Sequence, residues 1–355
     1  MVSSTKGEKP VEFPTLTEIK HSIPNSCFES DAATSLYYVG RSALLTALFM
    51  TTLSHGRAAL ADYFILDVLL CATYIYLQGV VFWGLFTIGH DCGHSSFSRY
   101  HSLNFIVGCI THSAILTPFE SWRITHRHHH KNTGNIDKDE VFYPQREQDA
   151  YTLTRQMVYS LGFAWFTYLK VGYVPRQMDH FNPWDPLLVR RAGAVIISLF
   201  CWLAMVLGLA YLTYTLGVAT MALYYFAPLF VFATFLVITT FLHHNDEDTP
   251  WYGDSEWTYV KGNLSSVDRS YGWLVDELSH NIGTHQIHHL FPIIPHYKLN
   301  EATAHFRKAF PEFVRKNDEP ILASFWKTIQ LFVNHGVVPQ DAQIFSLGES
   351  AKKTL

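Results

Sequence analysis

Residues 280–289 read His280-Asn281-Ile282-Gly283-Thr284-His285-Gln286-Ile287-His288-His289, which sets His285, His288 and His289 at i, i+3 and i+4. On an α-helix those three imidazoles share one face, a turn apart. Neutral imidazole is the commonest metal ligand, so the face is metal-capable. His126-Arg127-His128-His129-His130 repeats the spacing with His126, His129 and His130, and His90-Asp91-Cys92-Gly93-His94 sets His90 and His94 at i and i+4. With 20 histidines in 355 residues, about 0.06 His-x-x-His-His matches are expected by chance, and there are two. The fold turns on whether the three stretches meet in space.

The rest of the chain alternates long apolar runs with very polar segments. A net charge of −4 argues against a nucleic-acid partner. The 5 cysteines are scattered with no Cys-x-x-Cys, which suggests neither a disulfide framework nor a zinc knuckle and fits a reducing compartment. Residues 1–35 form a polar N-terminal segment with no apolar signal-peptide core, and Ile19–Ile23 reads as a short interfacial helix ending before Pro24, with a solvated leader as the alternative. Four runs approach or exceed the roughly 20 residues a span requires: 36–54, 64–88, 193–216 and 220–242. The second, about 38 Å as a helix, exceeds a hydrocarbon core of about 30 Å and can carry His90 and His94 above the membrane. Pro228 is expected to kink the fourth. Residues 103–119 and 156–174 are too short or too interrupted to span; the first reads as re-entrant or interfacial, the second as lying on the membrane.

The expectation is an all-α integral membrane protein with four transmembrane helices in two hairpins. Residues 36–335 form the working domain, with a helical cap from 89–192 and 243–335, and 336–355 form a C-terminal tail. Of 26 Lys and Arg, the first hairpin loop holds only Arg57 and the second none, while Arg41 lies within a span near its end. The other 24 share the histidine side, which the positive-inside rule makes cytosolic, with both termini.

Two, three and three histidines give eight ligands, more than one metal takes, so two metals are expected. Ligand type alone leaves iron, zinc and copper open. His243 and His244 end the fourth span; His244 is the candidate ninth ligand, with capping or interface anchoring as its alternative. His280 is either a ligand or a partner to one. Ligating imidazoles commonly donate their second nitrogen to a carboxylate; Asp91 and Asp268 are the candidates. Asp137, Asp139 and Glu140 read at least as readily as a solvated charge run, and Asp276 is a further nearby acid. His128 is set aside, and His101, His112 and His296 read as structural.

These motifs together resemble the membrane-bound fatty acyl desaturases: HDCGH (90–94), HRHHHKNTG (126–134) and HQIHHLF (285–291), interleaved with two pairs of spans. IKHSIPNSCF (19–28), DKDEVF (137–142), EWTYVKG (256–262), VDRSYG (267–272) and LFPIIPHYKL (290–299) resemble the methyl-end branch, the Δ12 and omega-3 enzymes, over roughly residues 13–335. The resemblance implies a cytosolic di-iron centre held by His90, His94, His126, His129, His130, His285, His288 and His289, with His244 at the position of an additional family ligand. It implies O2 as co-substrate and removal of two vicinal hydrogens from an acyl chain, on phospholipid or CoA, to leave a cis double bond. Front-end desaturases carry a fused haem domain with an HPGG motif and Gln at the start of the third box; this chain has neither the motif nor that Gln. Electrons are therefore expected from separate cytochrome b5 and its reductase.

GTHQIHHLFPIIPHY (283–297) looks more like omega-3 enzymes, which convert n-6 to n-3 chains, than Δ12 enzymes. The alternatives are a Δ12 or bifunctional Δ12/omega-3 desaturase, then an acyl hydroxylase on the same centre. A zinc-bearing membrane receptor or hydrolase is disfavoured by the ligand count and by the lack of HExxH. Trp83, Phe86, Trp122 and Phe241 read first as membrane-core packing and second as candidate liners of an acyl tunnel. Lys352 and Lys353 resemble a retrieval signal of endoplasmic-reticulum membrane proteins.

Overall fold

In the computed structural model, which describes residues 12–354, the protein is built of helices joined by short turns and three two-residue strand pairings. Helix α1 (Leu16–Ser22) opens on a capping box: the Glu18 N–H donates to the Thr15 hydroxyl at 3.2 Å, and the Thr15 N–H to the Glu18 carboxylate at 2.7 Å. The interfacial helix expected here exists, but Ile19, Ile23 and Cys27 are covered by protein, clustering with Ile287, Leu290 and Phe306. This segment therefore walls the back of the third histidine stretch.

Helix α2 (Ala32–Ala59) is capped by Asp31, whose carboxylate accepts the Thr34 N–H at 2.8 Å. It overruns the expected 36–54 at both ends, because the flanking residues hold no proline and continue the helix beyond the apolar run. Helix α3 (Phe64–His94) returns alongside it. Gln78 donates to the Thr46 hydroxyl at 3.1 Å, and Arg57 pairs with Asp67 at 3.0 Å beside the turn. At the other end Arg41 reaches Glu277 at 2.9 Å. The second helix pair is Ala192–Leu216 and Val218–His244, linked at Gly217 with φ +86°. A wide π turn at Ala222–Phe226 precedes Pro228, and the regular helix restarts at Ala227. The proline's missing N–H thus falls where the ladder is already shifted.

Among the described residues, three helices are long and apolar enough to cross a membrane: Phe64–His94, Val189–Leu216 and Val218–His244. α2 has the length but is less apolar. Helix α4 (His101–Ser113) lies against α3 and the Ala192–Leu216 helix, with buried His112 donating from Nε2 to the Phe86 carbonyl at 3.2 Å. Helix α5 (Phe119–Asn132) packs beside them, and Gly162–Val171 packs on the Ala227–His244 helix.

The segment read as a C-terminal tail is bound into the cap. Val337–Val338 pairs in parallel with Gln145–Arg146, and Ile344–Phe345 antiparallel with Trp251–Tyr252. β-branched and aromatic residues suit such pairing, and the Arg146 guanidinium ties the segment down by donating to the Ala342 carbonyl at 2.7 Å.

Candidate metal centre

Four elements converge at one end of the helix pairs. The last turns of α3 carry His90 and His94, and α5 carries His126, His129 and His130. The Ala227–His244 helix ends in His244, and the short helix His285–Leu290 carries the rest. A six-residue helix is marginal alone. Asp268 holds its start, accepting the His285 and Gln286 N–H groups at 2.7 and 2.9 Å, while Arg307 donates to its other oxygen at 2.7 Å. Fully buried Ile287 and nearly buried Leu290 hold the helix from the α1 side. Gly283 lets the approach pass close to the Arg269 carbonyl, where a Cβ would clash.

His90, His94, His126, His130 and His288 form one group, each offering a nitrogen within 4.8 Å of the others. His129, His244 and His289 form a second under the same limit. His285 adjoins the second, its Nε2 3.1 Å from that of His244 and 2.9 Å from that of His289. The groups touch where His130 stacks on His289, ring centroids 4.1 Å apart.

Tautomers follow from the partners. His129 Nδ1 lies 2.5 Å from the Asp139 carboxylate, so Nδ1 carries the hydrogen and Nε2 the lone pair. His289 Nδ1 meets the Asn263 Oδ1 at 3.2 Å and the Thr133 hydroxyl at 3.0 Å, with Nε2 again directed inward. Imidazole nitrogens adjacent on one metal, each about 2.0–2.1 Å from it, stand about 2.8–3.4 Å apart. The Nε2 pairs His129–His244, His285–His289, His126–His130 and His130–His288 stand at 3.2, 2.9, 3.1 and 3.2 Å. His94 Nε2 is buried with no hydrogen-bond partner. Burial, reinforced by neighbouring imidazoles, holds His126, His130, His285 and His289 well below the usual histidine range, hence neutral; burial and His90 do the same to His288. These separations suit an N–H···N hydrogen bond between unlike tautomers and equally two imidazoles on one cation, so the donor set fits metal binding.

His243 is turned away from both groups, its two ring nitrogens engaged by the Val267 carbonyl and the Tyr271 hydroxyl. His280 also stands apart, packed with Tyr38 and His296 at ring-centroid distances of 5.0 and 4.8 Å. Asp91 lies 3.6 Å from His90 Nδ1 and accepts from His296 Nδ1 at 2.8 Å, so His296 joins the surroundings of the site. Asp268 touches backbone rather than an imidazole. The acid that bonds a ring of either histidine group is Asp139, fully buried and also accepting the Gly134 and Glu140 N–H groups at 2.9 and 2.7 Å. Asp137 pairs with Arg146, His128 with Glu140, and Asp276 accepts from Tyr271.

A narrow cavity of about 80 Å³ opens against both groups, reaching His90, His126, His129, His244 and His285. Its apolar wall includes Trp83, Phe86, Trp122, Trp165 and Leu236. Phe241 is not among its walls: that ring packs against Phe142, Phe325 and Phe332.

Apolar helices of membrane-crossing length that end in a polyhistidine cluster define a membrane protein with a metal-capable centre. The chain belongs to the fatty acid desaturase family: the family model "Fatty acid desaturase" matches residues 67–317. It is therefore an oxidoreductase. It is 39% identical over 336 residues to an sn-1 acyl-lipid omega-3 desaturase (ferredoxin) of Nostoc sp., covering 92% of this chain and 90% of the relative. A Synechocystis protein of the same description is also 39% identical, covering 90% and 88%. An endoplasmic-reticulum omega-3 fatty acid desaturase of Vigna radiata is 39% identical, covering 85% and 79%.

Proposed function

We propose that this protein is a methyl-end fatty acyl desaturase of omega-3 selectivity, converting n-6 to n-3 acyl chains. The observation that carries the reading is the meeting of a five-histidine and a four-histidine group on the wall of one apolar cavity. The relatives' omega-3 descriptions supply the regiochemistry. His90, His94, His126, His130 and His288 would hold one iron, and His129, His244, His285 and His289 the other. With O2 and two electrons, bound iron supplies the oxidising power that no side chain has: one –CH2–CH2– unit, O2, two electrons and two protons become one cis –CH=CH– and two waters.

The chain's own residues do the rest. Trp83, Phe86, Trp122 and Trp165 take an acyl chain out of water and hold it against the histidines. Asp139 fixes the tautomer of His129, and Asn263 and Thr133 that of His289. Burial favours the neutral form of His126, His130, His285, His288 and His289, which keeps their lone pairs available.

The membrane layout belongs to the same proposal. α2 with α3, and Ala192–Leu216 with Val218–His244, form two spanning hairpins, and the cap faces the cytosol. Residence in the endoplasmic reticulum is supported by the description of the Vigna radiata relative. Cytochrome b5 with its reductase is the donor this location favours, whereas the Nostoc and Synechocystis relatives carry ferredoxin in their descriptions. The substrate is an acyl lipid or acyl-CoA, and acyl lipid is the class those two descriptions favour.

Expression in cells that lack polyunsaturates, fed 18- and 20-carbon n-6 acids, tests the reading. New n-3 products, located by mass spectrometry, are expected. Δ12 dienes from oleate without n-3 products would overturn the regiochemistry, and hydroxy acids without a new double bond would overturn desaturation.

A further inference from the structure

His243 is buried beside the four-histidine group, yet none of its nitrogens faces it. Its Nδ1 lies 2.6 Å from the Val267 carbonyl oxygen. A carbonyl only accepts, so Nδ1 carries the hydrogen. The Val267 N–H donates back to the His243 carbonyl at 2.8 Å, so the two residues exchange a pair of hydrogen bonds. His243 Nε2 then has a lone pair, which the Tyr271 hydroxyl, 2.7 Å away, engages by donating. Tyr271 is itself held: its N–H donates to Asp276 at 2.9 Å and its ring packs on Trp83.

The clamped ring lies flat on His285, centroids 4.1 Å apart and planes 19° apart. His285 requires such a surface. His129 and His289 are fixed through Nδ1 by hydrogen bonds, but His285 Nδ1 is buried with no partner. Stacking on an immobile ring does for His285 what a hydrogen bond does for the other two.

We infer that His243 is a positioning residue whose clamped ring orients His285, and that Tyr271 is the latch that keeps its Nε2 away from the metal. This rests on the reading of His129, His244, His285 and His289 as ligands. The latch explains why two adjacent histidines at the end of one helix part company, His244 facing the group and His243 only buttressing it. It also holds that group at four imidazoles against five in its neighbour.

The test measures iron(II) affinity of the purified full chain by chelator competition, with iron per chain as a second readout. His243→Phe keeps the stacking face and removes both nitrogens; His243→Ala removes the face. Affinity for one of the two irons is expected to fall about 10- to 100-fold in His243→Ala, the range for lost ligand-orienting contacts. His243→Phe is expected to recover most of it and to keep the wild-type iron count. Tyr271→Phe is expected to retain both irons while altering the Mössbauer signature of one. Loss of one iron in His243→Phe, as in His285→Ala, would make His243 a ligand and overturn the inference. So would unchanged affinity in His243→Ala, an equal loss at both irons, or an unaltered signature in Tyr271→Phe. Failure of the underlying reading looks different: wild-type chain that binds fewer than two metals, or His285→Ala that keeps its full complement.

Discussion

The two histidine groups are built on different principles. The four-histidine group is braced by protein: Asp139 holds His129, Asn263 and Thr133 hold His289, and the clamped His243 ring backs His285. The five-histidine group takes its order from helix spacing. His90–His94 and His126–His130 are i,i+4 pairs on α3 and α5, and His130 Nδ1 and His94 Nε2 are buried without hydrogen-bond partners. The braced group is expected to keep its shape without metal, whereas bound metal would give His94 Nε2 the partner it lacks. The lesson is that ligand spacing alone places imidazoles near each other, and the surrounding acids, amides and rings decide how rigidly they stay.

Mutations at the two groups probe this contrast. The largest effect is expected at a ligand itself: His289→Ala should abolish n-3 product and remove a metal, whereas exposed His305→Ala should do neither. Product analysis with metal counting checks both; equal retention would remove the ligand assignment. Next, Asp139→Asn should weaken one metal about 10- to 100-fold and leave the other unchanged, since only His129 leans on that carboxylate. Equal weakening of both would erase the distinction between the groups.

A smaller effect is expected from Asp268→Ala. It leaves the His285 and Gln286 N–H groups and the Arg307 guanidinium without their acceptor. A cost of about 2–3 kcal/mol in denaturant unfolding of the metal-free protein follows from losing charge-assisted bonds. A pH effect acts on the cluster as a whole. Burial lowers the folded-state pKa of His126, His130, His285, His288 and His289 below the unfolded value of about 6.5. Below that value the unfolded chain binds more protons than the folded one, so stability is full above about pH 6.5 and is lost as pH falls. Thermal unfolding of metal-free protein from pH 8 to pH 5 measures it. Added metal should reduce the loss, because protons then compete with metal for the same lone pairs.

Much of this architecture was legible in the residue pattern. The i,i+3,i+4 spacing placed eight histidines on three helix faces, and apolar runs located helices α3, Ala192–Leu216 and Val218–His244. His244 was singled out by its place at a helix end, and it stands in the four-histidine group. Other features depend on tertiary folding that local pattern cannot carry. Asp139 reads as part of a solvated charge run, but the turn at Gly134 and the Asn135–Tyr252 bridge fold that run back under α5. Asp268 lies near the third stretch as expected, yet it serves a helix start, which only the path of the backbone reveals. His280 is separated from His285 by left-handed residues at 280 and 281, which turn its ring out of the cluster. Phe241 shares a helix with the cavity wall, but its ring packs with Phe142, Phe325 and Phe332 instead. Segment 336–354 looked loose because its four pairing residues find their partners more than 90 positions away.

On the proposed reading, nine imidazoles form two metal-binding groups, one of five and one of four. Metal analysis of the purified chain tests it most directly. Two irons per chain are predicted, falling to one in His285→Ala, while one zinc and no iron per chain would contradict the account.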